Sequence, residues 1–421
     1  MAAAMKAYQQ ADYPEAEKLL LSALEQAKQF GPNDQRLATT LNNLGLLQRA
    51  QGRYAQAEAL FQRAAAILEK ALGPEQSEVA TVLNNLALLY HEQAQYAQSE
   101  PLFQRALAIR EKALGPEHLA VATVLNNLAI LRHDQGRHAQ AEPLFQRALA
   151  VRENTLGPDH PDVAASLNNL AELYRAQRRY ARAEPLFQRA LAIREKALGP
   201  KHPDVATVLN NLAILYHDHG HYVRAEPLFQ RALAIREKAL GPDHPDVAAT
   251  LKTLAELYQI QGRYAQAGPL FQRSLAIREK ALGSEDPEVA SSLTSLAVLY
   301  QFQTRYAEAE PLFQRALAIR EKALGPNHPD VAATLNNLAE LYRAQRRYAQ
   351  AEPFYRRLLS LQEKTLGPEH PKVAATLYNL AQSLENQATL LRKTTRDAEA
   401  EEVETRAKAI RARLAQVNPK K

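Results

Sequence analysis

Apolar and polar residues alternate along the chain with the period of an α-helix. Within residues 78–115, the first half carries apolar side chains at Val82, Leu83, Leu86, Ala87 and Tyr90. This spacing places them on one face of an amphipathic helix. A polar break follows at residues 91–95, and apolar residues then recur at helical spacing from Tyr96 to Leu114. The pattern therefore predicts two consecutive amphipathic helices.

The segment between two such helix pairs carries signals for a helix end and a helix start. Gly157-Pro158 is expected to stop the second helix, because glycine suits a left-handed C-cap and proline cannot continue a helix. Pro161 fits the first position of the next helix, where its missing N–H costs nothing. Asp162 then lies in the first turn, where negative charge is favourable. The unit is thus predicted to be an antiparallel helix pair.

The helix pair recurs with a period of 42 residues. Its marker, LNNL, begins at positions 41, 83, 125, 167, 209 and 335 and returns as LKTL at 251, LTSL at 293 and LYNL at 377. A fixed period of this size indicates one supersecondary unit stacked many times. Proline also recurs early in the second helix, where we expect a small bend and no break, at Pro101, Pro143, Pro185, Pro227, Pro269, Pro311 and Pro353.

The unit resembles the tetratricopeptide repeat. The run Leu83-x2-Leu86-Ala87-x2-Tyr90, followed by Ala-x3-Phe as at Ala141, matches that repeat, with Leu for the usual Trp and Ala for the usual Gly. The 42-residue length and the LNNLA and HPDVA segments are similar to the repeats of kinesin light chains and their prokaryotic relatives. The resemblance implies an all-α fold, a right-handed superhelical α-solenoid of antiparallel helix pairs, with other proteins as partners.

The two ends of the chain depart from the repeat and define the predicted boundaries. Residues 1–31 are expected to form a truncated N-terminal repeat with its second helix at 13–30. Residues 32–369 are expected to hold eight 42-residue repeats. Residues 370–421 are expected to form a C-terminal repeat with an extended first helix and a capping helix at 397–416. The truncated start suggests a fragment, or a start site further upstream.

The two asparagines of LNNL fall on different sides of the first helix. At about 100° per residue, with Ala87 at 0°, Asn84 lies near +60° and Asn85 near +160°. The packed arc lies at negative angles, so Asn84 is expected to satisfy a neighbouring repeat and Asn85 to face away from the core. In stacked helix pairs the first helices line the concave surface, and the Asn85 side is therefore predicted to form a groove.

The predicted peptide-binding groove combines amide, basic and acidic side chains. Amides offer donors and acceptors, which suits the backbone of an extended peptide, and Arg and His can select acidic side chains. An asparagine row can equally satisfy backbone groups of adjacent repeats, and the sequence leaves both roles open. We expect a ligand first along the unbroken row from Asn43 to Asn211. The candidate residues are Asn43, Asn85, Asn127, Asn169, Asn211, Asn337, His91, His133, Arg175, His217, Arg343 and Glu172.

Composition argues against several classes of function. The absence of cysteine removes disulfides and thiolate chemistry. The net charge is +6, but bases alternate with acids in segments such as IREKALG, whereas a nucleic-acid binder collects charge into a patch. No apolar run approaches the roughly 18 residues of a membrane span. We therefore expect a cytoplasmic chain that binds neither nucleic acid nor membrane.

The motifs of common catalytic and metal sites are also missing. Phosphate-binding glycine loops, a serine nucleophile motif and HExxH are absent, so we expect no enzymatic activity, cofactor or small-molecule substrate. Arg178-Arg179 and Arg346-Arg347 are interpreted as solvated corners between helices. The loop histidines stand alone in their units, without a second metal ligand at suitable spacing, and are interpreted as turn residues: His118, His160, His202, His244, His328 and His370.

These features predict a non-catalytic scaffold that binds extended peptide segments of partner proteins in its groove. Two alternatives remain. One is a regulatory or sensor array of a larger prokaryotic signalling protein with an NTPase or protease-like effector. The other is a kinesin light chain-type cargo adaptor, against which the missing N-terminal heptad coiled coil argues.

Overall fold

The computed structural model describes residues 1–9 and 12–417, and within these ranges the chain is all helix and loop. The helices alternate between a first helix, usually of 16 residues, and a second helix, usually of 19. The first helices are α1 (Ala2–Gln9), α3 (Gln35–Ala50), α5 (Ser77–Glu92), α7 (Leu119–Asp134), α9 (Pro161–Ala176), α11 (Pro203–Asp218), α13 (Pro245–Ile260), α15 (Pro287–Phe302), α17 (Pro329–Ala344) and α19 (Pro371–Lys393). The second helices are α2 (Tyr13–Lys28), α4 (Tyr54–Leu72), α6 (Tyr96–Leu114), α8 (His138–Leu156), α10 (Tyr180–Leu198), α12 (Tyr222–Leu240), α14 (Tyr264–Leu282), α16 (Tyr306–Leu324), α18 (Tyr348–Leu366) and α20 (Asp397–Val417).

The helices form two compact units, residues 1–215 and residues 216–421. Inside the first unit, α5 packs against its own second helix, α6, and against the second helix of the preceding pair, α4. Inside the second unit, α15 packs in the same way against α16 and α14. This repeated packing of helix pairs confirms the predicted all-α solenoid.

The core of each repeat is built from the residues that the helical period selects. Leu83, Leu86 and Ala87 are buried in α5, as predicted for the packed arc. Fully burying one such large apolar side chain contributes about 1.5–3 kcal/mol, so the repeat is stabilised mainly by this arc. The second helix adds one buried aromatic ring per repeat: Phe61, Phe103, Phe145, Phe187, Phe229, Phe271, Phe313 and Tyr355.

The connection between helix pairs is fixed by backbone conformation and capping. Gly157 ends α8 with φ 84° and ψ 157°, which is an extended region open mainly to glycine. Gly157 therefore has the positive φ that was expected. Its ψ is extended, so the expected left-handed helical conformation is wrong. His160 then caps α9, because its Nδ1 accepts the N–H of Asp162 at 3.1 Å. The loop histidines are thus helix N-caps. The sequence predicted them only as turn residues.

The helix ends agree with the sequence pattern to within two residues. The second helix α2 ends at Lys28, whereas residue 30 was expected. The first helix α19 has 23 residues, which confirms its extension of about seven residues relative to α17. The helices α6 and α8 continue through Pro101 and Pro143 without a break, as predicted. The division into repeats at residues 31 and 369 stays a prediction.

No helix within residues 1–9 and 12–417 is both long and apolar enough to cross a membrane.

Candidate functional site

The predicted groove residues all lie on first helices and are half-buried. Within each compact unit, we call the surface that they form the first-helix face. In the first unit it carries Asn43, Asn85, His91, Asn127, His133, Asn169, Glu172, Arg175 and Asn211. In the second unit it carries His217, Asn337 and Arg343.

The asparagines of the first unit bond one another from repeat to repeat. Nδ2 of Asn127 on α7 donates to Oδ1 of Asn84 on α5 at 3.0 Å. The same bond joins the second asparagine of a repeat to the first asparagine of the preceding repeat at three further places, Asn85 to Asn42 at 2.9 Å, Asn169 to Asn126 at 2.9 Å and Asn211 to Asn168 at 3.1 Å. We call these four bonds the asparagine ladder.

The ladder gives the first asparagines a structural role. Asn84 is only 6% exposed, and a buried polar group left without a partner costs about 1–3 kcal/mol. The prediction that Asn84 satisfies the neighbouring repeat is confirmed. The partner of Asn84 is a side-chain amide, whereas the sequence predicted a backbone group as the partner.

The second asparagines keep part of their hydrogen-bonding capacity. Asn127 and Asn169 each use one amide hydrogen for the ladder. Within the residues that the structure describes, their Oδ1 atoms and second amide hydrogens have no partner. Both side chains are half-buried and so reachable from solvent. Contact of the second asparagines with a ligand stays a prediction.

Two repeats of the second unit replace the ladder asparagines with threonines that bond their own helices. The Thr253 hydroxyl donates to the Thr250 carbonyl at 3.0 Å, and the Thr294 hydroxyl donates to the Ala290 carbonyl at 2.8 Å. These threonines stand where other repeats carry an LNNL asparagine, so an asparagine pair cannot form through them.

The charged residues of the first-helix face are largely paired already. Arg175 bonds Glu172 of its own helix at 2.9 Å, and His91 bonds Asp134 of the next first helix at 2.8 Å. Burial lowers the pKa of His133 below its usual value and so disfavours its charged form. Selection of an acidic ligand at Arg175 therefore requires exchange of Glu172, and at His133 it is disfavoured by burial.

A network that sequence reasoning missed joins the second helices α8, α12 and α16 to the repeats that follow them. Glu142 on α8 accepts from the Tyr174 hydroxyl at 3.0 Å and from Arg179 Nη1 at 2.7 Å. Arg179 also lies over the Tyr174 ring, with its Cζ 4.4 Å from the centroid. We call this arrangement the glutamate clamp. It recurs as Glu226 with Tyr258 and Arg263, and as Glu310 with Tyr342 and Arg347.

The clamp corrects the interpretation of the arginine pairs. Arg179 and Arg347 are inter-repeat contacts, so describing them as solvated corners was wrong. Only the arginine before each is an exposed corner: Arg178 has φ 57° and Arg346 has φ 59°. The signal was present in the sequence as a glutamate and an arginine recurring 37 residues apart.

A second missed contact places a buried arginine between one second helix and the next first helix in several repeats. Arg236 on α12 donates to the Thr250 hydroxyl of α13 at 2.6 Å, and Arg320 donates to the Thr334 hydroxyl at 2.6 Å. Arg110 differs because the equivalent acceptor position is Val124. Arg110 bonds the Ala120 carbonyl at 2.9 Å and the Thr81 hydroxyl at 3.1 Å, and it is 8% exposed. Its Nε has no partner among the described residues. Burial lowers the pKa of Arg110.

An open cavity of about 710 Å³ lies between the start of α19 and the end of α20. Tyr378 lines it and stands in the position of the first LNNL asparagine, where it is 51% exposed. Arg411 covers the Tyr378 ring at 5.0 Å and bonds Glu385 at 2.8 Å. The twelve predicted groove residues lie outside this cavity. Among the described residues, no group of three or more His, Asp or Glu side chains could hold a metal ion.

The sequence profile of the tetratricopeptide repeat matches almost the whole chain. The matched residues are 2–70, 78–154, 122–196, 162–238, 222–280, 246–322, 288–364 and 330–413. Comparison with curated protein sequences gave no match.

Several solved structures are similar to the chain. One is a signal transduction ATPase with numerous domains and a tetratricopeptide repeat sensor from Pyrococcus horikoshii, with 17% identity and a TM-score of 0.57 over 86% of this chain and 54% of that chain. Another is the apo form of the quorum sensor NprR from B. thuringiensis, with 13% identity and a TM-score of 0.55 over 88% and 98%. BtubC (BKLC) from P. vanneervenii is 25% identical over 54% of this chain and 92% of that chain, with a TM-score of 0.49. The first two show a shared fold.

Proposed function

The chain belongs to the tetratricopeptide repeat family, and we propose that it is a non-catalytic scaffold that binds extended peptide segments of partner proteins along its first-helix face. An array of such repeats is suited to protein interaction. The alternatives of a sensor array and of a cargo adaptor share this fold and also stay predictions.

The asparagine ladder is the observation that supports peptide binding. It holds Asn85, Asn127, Asn169 and Asn211 in one row, each with a spare amide oxygen and a spare hydrogen. A peptide backbone offers one donor and one acceptor per residue, so a fixed row of amides can bond it at several points. Because the ladder orders these side chains before binding, less conformational entropy is lost when a ligand binds.

The neighbouring residues supply apolar anchors beside this row. Ile130 and Ile214 are half-buried on the first-helix face, one turn beyond the second asparagine of the same helix. They suit the apolar side chains of a peptide whose backbone bonds the amides. Glu172 occupies the same position on α9 and holds Arg175, so a ligand carboxylate would exchange with Glu172 there.

Selection of a random linear peptide library against the chain tests this proposal. We expect enriched peptides to bind the wild type and to lose about tenfold or more in affinity to the double variant Ile130→Asp, Ile214→Asp, because each aspartate places a charge at an apolar anchor. These substitutions leave the ladder bonds in place. Ala108→Asp with Ala150→Asp, on exposed positions of α6 and α8, is the matched control.

The test compares the peptide affinity of the isoleucine variant with that of the wild type and of the alanine control. Equal affinity for the wild type and the isoleucine variant would contradict binding on this face. Equal loss in the alanine control would do the same, as would a selection that enriches no peptide. Circular dichroism of each variant shows whether the helices are retained.

A further inference from the structure

Gly268 on α14 interrupts the glutamate clamp of the second unit. The preceding and following second helices carry Glu226 and Glu310 at this position. The other two parts of the clamp are retained, as Tyr300 at the end of α15 and Arg305 before α16. The repeat thus keeps the two groups that bind a carboxylate and lacks the carboxylate itself.

The tyrosine is left with an unused donor. The Tyr300 hydroxyl accepts from Gln272 Nε2 at 3.0 Å, and its own hydrogen has no acceptor among the residues that the structure describes. In the neighbouring clamps the hydroxyl hydrogen goes to glutamate, from Tyr258 to Glu226 at 3.1 Å and from Tyr342 to Glu310 at 2.8 Å. The free donor therefore points to an acceptor that the chain does not provide.

The arginine keeps available the atom that binds the clamp glutamate elsewhere. Arg305 still covers the Tyr300 ring at 4.3 Å. Its Nε and Nη2 form a two-point ion pair with Glu308 at 2.6 and 2.5 Å, and both side chains are close to half exposed. Nη1, the atom with which Arg263 bonds Glu226 at 2.7 Å, here bonds Gln303 at 2.9 Å. A carboxylate beside Tyr300 can therefore bond Nη1 while Glu308 stays on the other two nitrogens.

Local packing does not require glycine at this position. A Cβ added to Gly268 would meet only the Leu299 side chain, at 3.7 Å, which is an ordinary contact. Glycine inside a helix costs about 1 kcal/mol relative to alanine. The chain thus gives up helix stability here and leaves room beside Tyr300 and Arg305.

Apolar residues form the rim of this opening. Phe302, at the end of α15, is 60% exposed and stacks on Tyr264 with ring centroids 6.4 Å apart. Ile260, at the end of α13, is 53% exposed. The equivalent helix ends carry an acidic residue in α5, α7 and α11 and alanine in α3, α9 and α17. Large apolar residues at this position thus occur in the two repeats next to the missing clamp glutamate.

We propose that these residues form a binding site for a protein partner that presents a glutamate or aspartate beside an apolar side chain. The carboxylate accepts from Tyr300 and Arg305, as Glu226 accepts from Tyr258 and Arg263. The apolar side chain rests on Phe302 and Tyr264. We call this set, with Gly268, the Gly268 cleft. It lies within the second unit, whereas the asparagine ladder lies within the first, so the two sites are tested separately.

A single fluorescent reporter makes the Gly268 cleft measurable. The chain has no tryptophan, so Phe302→Trp keeps an aromatic rim and supplies the only indole signal. The probe is the acetylated and amidated peptide AEPLFQ, which copies residues 309–314 and includes the glutamate of the next clamp. The matched control peptide, AQPLFQ, differs only in replacing that carboxylate with an amide.

We expect AEPLFQ to change the tryptophan emission saturably and to bind about tenfold more tightly than AQPLFQ, because hydrogen bonds to a charged acceptor are roughly twice as strong as neutral ones. Gly268→Glu in the reporter chain should abolish the response, since the chain then fills its own site. Gly268→Ala should retain the response, and Tyr300→Phe should weaken it several-fold. Ala108→Asp, at an exposed position of the first unit, should leave it unchanged.

Several results would overturn the assignment. Equal binding of the two peptides would show that no carboxylate is recognised, and undiminished binding to the Gly268→Glu variant would place the peptide elsewhere. The absence of any saturable response would also reject the site. Concentration-dependent association of the chain in sedimentation, lost in Phe302→Glu, would identify the rim as a contact between copies and equally reject a partner carboxylate.

Discussion

Asn127 donates a hydrogen bond to Asn84 across 3.0 Å, and this bond joins the two halves of one sequence motif from different repeats. In four of the five LNNL motifs of the first unit, the second asparagine bonds the first asparagine of the preceding repeat. One motif therefore serves packing through its leucines, the stacking of repeats through its first asparagine, and a polar surface through its second.

Removing a ladder donor should destabilise the first unit. We expect Asn127→Ala to lower the free energy of unfolding by about 1–3 kcal/mol, because the buried Oδ1 of Asn84 loses its partner. Urea unfolding followed by circular dichroism measures this change. Asn337→Ala is the matched control, since the first position of the preceding repeat is Thr294, which bonds its own helix. Equal effects of the two substitutions would show that the ladder bond contributes no stability.

Supplying a further hydroxyl acceptor for Arg110 at position 124 should stabilise the chain. We expect Val124→Thr to raise the free energy of unfolding by about 1 kcal/mol, because a threonine hydroxyl at this position accepts from the equivalent Arg236 at 2.6 Å. Val82→Thr is the matched control, because the residue one repeat before Arg110 is Leu68. There the buried hydroxyl should be destabilising. A loss of stability in Val124→Thr similar to that in Val82→Thr would argue against the arginine contact.

Completing the interrupted clamp should stabilise the second unit in two separable steps. Gly268→Ala should add about 1 kcal/mol from helix propensity alone. Gly268→Glu should add about 1 kcal/mol beyond the alanine variant, because its carboxylate bonds Tyr300 and Arg305. Thermal and urea unfolding of the three proteins measure both steps. A glutamate variant no more stable than the alanine variant would mean that the clamp geometry is not restored.

The intact clamps should make stability depend on pH in the acid range. The hydrogen bond from Arg263 lowers the pKa of Glu226, and the bond from Arg179 lowers that of Glu142. A carboxyl group with a lower pKa in the folded chain contributes its full stability above its unfolded pKa of about 4.3 and loses it as the pH falls through the folded value. We therefore expect the wild type to lose stability from about pH 5 downwards.

Glu226→Gln tests the origin of that dependence. Glutamine has no charge to lose, so the variant should be less stable at pH 7 and should lose less stability on acidification. Urea unfolding midpoints at a series of pH values give the two slopes. Glu117→Gln is the control, because Glu117 is exposed and has no ion pair among the described residues. If the urea midpoints of Glu226→Gln and the wild type depend on pH with the same slope, the clamp is not the source of the pH dependence.

The fold could be predicted from the sequence because its determinants are local and repeated. The spacing of Leu83, Leu86 and Ala87 specifies a helix face, and Gly157 with Pro161 specifies where one helix ends and the next begins. Both signals act within a few residues and recur in successive repeats. Helix bounds accordingly agree with the pattern to within two residues.

The candidate site was predictable only as a surface. Helix angles placed Asn85 and Asn127 on the first-helix face, and the structure finds them there, half-buried. The same angles could not show that each amide is already bonded to the preceding repeat, because that bond depends on how two helices 42 residues apart are placed. The paired state of Arg175 depends in the same way on rotamers that a helical wheel does not fix.

By itself, the sequence determined an all-α array of helix pairs, the buried arc of each helix and the face that carries the asparagines. These follow from the helical period and from capping residues, which act over short stretches of chain. Only the tertiary structure decided which polar side chains meet between repeats: Asn127 with Asn84, Glu142 with Tyr174 and Arg179, and Tyr300 with no clamp glutamate. Hydrogen bonds require atoms within about 3 Å, and that proximity is set by the packing of one repeat on the next.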